Sequence, residues 1–117
     1  SARDLMDVSL PEEDVAWIEQ FIHDGWPQVR SFHHLRTRKA GSNRFIDFHL
    51  VVDDHMPVGE AHALSDEMVL AIKERLPETR VNIHVEPCEL ECKDACVSGC
   101  TVDPAERDSR RAGRAGR

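Results

Sequence analysis

Residues 44–53 alternate, one parity apolar from Ile46 to Val52 and the other mostly polar, and this alternation restricts the fold more than any other feature of the chain. Ile46, Phe48, Leu50 and Val52 share one parity; Asp47, His49, Val51 and Asp53 share the other. Successive side chains of a strand point to opposite faces, so this segment needs an apolar core on one side and tolerates polar surroundings on the other. Residues 29–39 also read as a strand, and Ala40-Gly41-Ser42-Asn43 reads as a turn, so the two segments form a hairpin.

Helical spacing brackets the hairpin. Residues 10–23 open on Leu10-Pro11-Glu12-Glu13, with Pro in a first turn and acidic groups at the positive end of the helix dipole. Val15, Ile18, Phe21 and Ile22 recur at helical intervals, and Gly25-Trp26-Pro27 stops the helix. Residues 57–76 carry Val58, Ala61, Leu64, Met68, Ile72 and Leu76 along one side and form a second helix. A short last strand alternates Val81, Ile83 and Val85 with Asn82, His84 and Glu86 and closes at Pro87. The expected class is α+β in the order α-β-β-α-β. Two helices cover one face of a three-stranded sheet and leave the other available to a partner.

The 117 residues suffice for one domain with a modest core, and no apolar run approaches the roughly 20 residues that cross a bilayer. Residues 103–117 hold five Arg against three acidic residues, a net +2, so residues 1–102 carry −9 of the overall −7. An acidic body offers no basic stripe to neutralise phosphates, which argues against nucleic acid; it suits a cation, and equally serves solubility. The Arg-, Ala- and Gly-rich segment 103–117 has little to bury and is expected to be disordered. The start at Ser1, with no initiator Met, reads as a piece of something longer.

Strand parity then organises the histidines. His49 and His84 are flanked by core-facing residues and project from the opposite face, with Glu86 two residues beyond His84 on that same face. His33 lies on the other hairpin strand, and His62 falls in the first turns of the second helix. Neutral imidazoles with a carboxylate suit Zn²⁺ and related divalent ions. His33, His49, His84 and Glu86 are therefore expected to converge at the open side of the sheet. His34, next to His33, is expected to face the other way; His23 and His55 read as ordinary exposed residues at a helix end and in a loop. Metal should bind poorly below about pH 6, when imidazoles protonate.

All four cysteines crowd into Cys88, Cys92, Cys96 and Cys100, which speaks for a reducing compartment rather than a stapled secreted domain. Their spacing of four allows a helix over 88–102. One helical stripe cannot wrap a tetrahedron by itself, so inert or redox-labile thiols are the better reading and a weak metal load the lesser one. No phosphate loop, nucleophile elbow or His-Glu-x-x-His helix supports an enzyme.

The stretch His33-His34-Leu35-Arg36-Thr37-Arg38, then Gly41 and Phe45-Ile46-Asp47-Phe48-His49-Leu50, resembles the C-terminal cytoplasmic domain of cation diffusion facilitator transporters. So do Glu60-Ala61-His62 with Asp66, and Val81-Asn82-Ile83-His84-Val85-Glu86-Pro87-Cys88. The similarity covers about residues 5–88 and is greatest to the bacterial zinc and ferrous-iron efflux branch. It implies a metallochaperone-like, ferredoxin-like α-β-β-α-β domain forming a homodimer beneath a six-helix membrane portion. It also implies Zn²⁺ or another divalent ion near the dimer interface, drawing the V-shaped pair together. The ligand positions it implies are His33, His49, His62, His84 and Glu86, the last usually Asp in close relatives. Residues 1–9 would then lead from the membrane portion, 10–88 would be the metal-binding dimerisation domain, and 89–117 a tail.

On this reading the chain is the regulatory, metal-sensing domain of a divalent-cation/proton antiporter, on the cytoplasmic side of the inner membrane. The alternative is a free-standing metal-binding module or metallochaperone, and a small metal-dependent hydrolase stands a distant third.

Overall fold

A computed structural model describes residues 8–89, 92 and 100–115. Its elements run α1 (Glu12–Asp24), β1 (Val29–Ala40), β2 (Asn43–Asp53), α2 (Val58–Arg75), β3 (Thr79–Cys88) and α3 (Pro104–Ala115). Over residues 10–88 this is the α-β-β-α-β order that the hydrophobic periodicities dictate. β1 pairs antiparallel with β2 through a two-residue loop, and β2 pairs parallel with β3, whose connection runs through α2. Gly41 sits in that loop at φ 62°, a left-handed conformation that glycine accepts without a steric penalty.

The core lies between the sheet and the two helices. Ile46, Phe48, Leu50 and Val52 of β2 are buried against Ile18 and Ile22 of α1 and Leu64, Met68 and Ile72 of α2. Four consecutive same-parity residues of one strand thus fill the centre, because β2 is the middle strand and its apolar face is covered throughout. Val58, expected on the buried side of α2, is instead exposed. It opens the helix, and burial begins only at Leu64. β3 continues through Pro87 to Cys88 instead of stopping at the proline. It is an edge strand, where a missing N–H need not cost a ladder bond.

The opposite face of the sheet is not open along its whole length. Ser31 and Val51 pair across β1 and β2 on that face, and both are buried. The chain returns to this end of β1 after β3: Thr101 donates its N–H to the Arg30 carbonyl at 2.8 Å and its hydroxyl to the Val29 carbonyl at 2.6 Å. α3 follows, where composition led to an expectation of disorder. The reason is local: the Asp103 carboxylate accepts the N–H of Ala105 at 2.9 Å, capping the start, and Pro104 takes the first helical position. A capped end needs no apolar face to define it, and burial was the only criterion the composition tested. The helix expected over 88–102 lies mostly outside the described residues; Cys88 itself ends β3.

Candidate metal centre

The sheet register aligns three histidines in one row. His33 of β1 is the cross-strand partner of His49 of β2, and His49 is in turn the partner of His84 of β3. Adjacent strands lie about 4.8 Å apart, and the rings follow that spacing, with centroids 5.2 Å apart for His33 and His49 and 4.8 Å for His49 and His84. Glu86 reaches back into the row from β3. His33 Nε2 lies 3.1 Å from one carboxylate oxygen, and His49 Nδ1 makes a short contact with the other. His84 Nε2 is further off, 4.0 Å from the oxygen that His49 holds.

His34 joins this group, against the parity argument. From His33 to Arg36 β1 advances three residues while β2 advances two, from His49 to Asp47, so β1 carries a bulge. His34 occupies it at φ 53°, a conformation that costs a non-glycine residue about 1 kcal/mol or more. The extra residue brings its ring beside the row, with centroids 4.6 Å from His33 and 5.0 Å from His49. Alternation gives no sign of this. The only hint in the sequence is the chemistry of position 34, since histidine is among the few residues enriched in the left-handed region.

His62 does not meet the cluster within one protomer. It stands on α2, largely exposed, with Nε2 3.2 Å from the Asp66 carboxylate one turn on. His23 and His55 pair with the neighbouring Asp24 and Asp54, and both are exposed.

Burial acts to raise the pKa of Glu86, but the hydrogen bond from His49 and the positive charges on His33 and His49 outweigh it. The carboxyl is held below its usual value of 4.5. The free energy that the ionised group adds is therefore present above the unfolded-chain value and is lost as pH falls through the lower folded value. In metal-free protein, Glu86→Gln is expected to be less stable than wild type at about pH 5.5, with the difference closing as the medium is acidified to about pH 2.5. Urea midpoints at the two pH values read this; a gap of constant size would contradict it.

The donor set fits a divalent transition ion. One nitrogen each from His33 and His49 and one oxygen of Glu86 lie within 4.8 Å of one another. Donors on a tetrahedral zinc are about 3.4 Å apart, so modest side-chain rotation closes the group. His33 Nδ1 is buried and has no hydrogen-bond partner among the described residues. The nitrogen that faces Glu86 is Nε2, so that is the one an ion beside the carboxylate would take.

Residues 10–88 match the family model for the cytoplasmic domain of cation efflux proteins. The cation-efflux pump FieF of Pectobacterium atrosepticum is 38% identical over 87 residues, which are 74% of this chain and 29% of that one. FieF of Cronobacter sakazakii gives the same identity over 86 residues. The chain thus spans less than a third of the length of these curated relatives. Among solved structures, the zinc form of the transporter CzrB aligns at 43% identity and a TM-score of 0.64, over 75% of this chain and 99% of that one. The metal-bound C-terminal domain of the CzcD transporter from Thermotoga maritima aligns at 28% identity and a TM-score of 0.59, over 68% and 96%. Sequence over residues 10–88, strand order and the placement of the helices all agree, and the chain belongs to the family of cation efflux protein cytoplasmic domains.

Proposed function

We propose that this chain is the metal-sensing and dimerisation domain of a divalent-cation/proton antiporter that exports Zn²⁺ or a related ion (Fe²⁺, Cd²⁺ or Mn²⁺). Residues 10–88 are the sensing domain, 1–9 lead from a membrane portion of the same polypeptide, and 89–117 are an appendage. The domain lies on the cytoplasmic side of the inner membrane. The observation that carries this reading is the row His33, His49 and His84 converging on Glu86. No catalytic machinery is needed for it. The greater length of the curated relatives, which are named efflux pumps, favours it over a free-standing module.

The regulation follows from linkage. An ion shifts the dimer toward a closed arrangement only by its difference in affinity for the two arrangements, about 1.4 kcal/mol for each tenfold change in population. His62, on α2 and outside the group that His33, His49 and Glu86 form within one protomer, is read as a ligand from a second copy. His84, two-thirds exposed, is its partner in that shared site.

Sedimentation velocity and small-angle scattering test this on the purified chain. Zn²⁺ is expected to raise the dimer fraction or to compact an existing dimer, chelator to reverse the change, and His84→Ala to abolish it. Identical sedimentation and scattering with and without Zn²⁺ would sink the proposal.

A further inference from the structure

We infer that His34 is itself a metal ligand, and that His33, His34, His49 and Glu86 form a complete three-nitrogen, one-oxygen site for a divalent transition ion inside one protomer. The inference rests on reading the cluster as a metal centre, and it adds a residue outside the set His33, His49, His62, His84 and Glu86.

Ring geometry separates His34 from His84. With Zn–N bonds of about 2.0–2.1 Å, two imidazoles on one tetrahedral ion have centroids about 5.1 Å apart. The three rings of His33, His34 and His49 form a triangle with sides of 4.6, 5.0 and 5.2 Å. Their planes are inclined at 60°, 70° and 53°, so no two of them are stacked and a turn of the His34 ring can aim its lone pair at a point shared with the other two. His84 also lies 4.8 Å from His49, but the two rings are stacked at 19°. Lone pairs of nearly parallel rings run side by side and do not converge. His49 therefore shares an ion with His33 and His34 in preference to His84.

The backbone supports the same assignment. A bulge with a non-glycine residue at φ 53° is a costly way to build a strand, and here it moves an imidazole onto the metal-binding face. His34 makes no hydrogen bond or ion pair among the described residues that would otherwise account for its position; its contacts are the two rings. Its nitrogens do not yet lie within 4.8 Å of the other three donors, so its ring must turn about the soft Cβ–Cγ torsion to close the site.

The site within one protomer leaves His84 and His62 for the shared ion of the dimer, so the two classes of ion differ in their dependence on protein concentration.

The test uses His34→Asn and His34→Gly, because Asn and Gly both accept the left-handed backbone and preserve the bulge. Zn²⁺ affinity is read by competition with a chromophoric chelator, and coordination by the visible spectrum of Co²⁺. Both variants are expected to bind the first ion about 10- to 100-fold more weakly and to show an altered Co²⁺ spectrum. The metal-free melting temperature should be unchanged for Asn and unchanged or raised for Gly. First-ion affinity in wild type should not vary as the protein is diluted. Wild-type affinity and spectrum in His34→Asn, with binding lost in His49→Ala, would overturn the role of His34 and leave the metal centre standing. Wild-type binding in both His34→Asn and His49→Ala would overturn the centre and the inference together. First-ion affinity that rises with protein concentration would show that a second copy supplies the fourth ligand, and would also overturn it.

Discussion

Replacing His49 with alanine is expected to lower Zn²⁺ affinity by on the order of 100-fold or more, the largest effect of any single change at the cluster. His49 is the hub. It lies on the central strand, pairs in register with His33 on one side and His84 on the other, and holds one oxygen of Glu86. Its ring also contacts those of His33, His34 and His84. Removing it deletes a donor and releases Glu86 from the contact that orients the carboxylate. The backbone position belongs to the covered middle strand, so the fold should persist, and the metal-free melting temperature should fall only by what the contact with Glu86 contributes. Calorimetric titration of Zn²⁺ into wild type and variant reads the loss. Equal affinities would show that the row of rings is a packing feature, with no ion to hold.

One residue away, the expected effect falls on stability. Phe48→Ala should destabilise the metal-free domain by about 3–5 kcal/mol, through lost burial and the cavity left behind. Phe48 is the largest fully buried side chain among the described residues, packed in the cluster that joins β2 to both helices. Domains of this size have a total stability of roughly 5–15 kcal/mol, so the variant sits near the threshold of unfolding. Because Asp47 and His49 face away from the cavity, the ligands stay in place whenever the chain is folded. Zn²⁺ at about 100 times its dissociation constant should then restore about 2.7 kcal/mol. Urea denaturation with and without the ion measures both quantities. A variant as stable as wild type would mean that the core is assigned to the wrong face of β2. Destabilisation that Zn²⁺ leaves untouched would mean that the site and the fold are not linked.

The two variants are neighbours in sequence yet belong to opposite faces, and that separation was visible in the chain alone. Period-two alternation over residues 44–53 determined which side chains of β2 are core and which are free for chemistry. The spacing of Leu64, Met68 and Ile72 determined that a helix covers the core face. Those signals are local, because side-chain direction in a strand or helix depends only on the backbone's own repeat. The same logic put His49, His84 and Glu86 on one face, with His33 as their companion.

Register was not local. That His33 meets His49, and His49 meets His84, depends on how three strands slide against one another, which hydrophobic contacts across the whole domain decide. The bulge at His34 is a consequence of that register. An extra residue in β1 must be accommodated somewhere, and alternation assumes there is none. α3 escaped for a different reason: Asp103 caps it through hydrogen bonds, which a count of apolar residues does not register. The amino-acid sequence by itself therefore determined the elements, their buried faces and the donor types. Only the tertiary structure decided which imidazoles stand close enough to share an ion, because distance between strands is set by pairing and not by position along the chain.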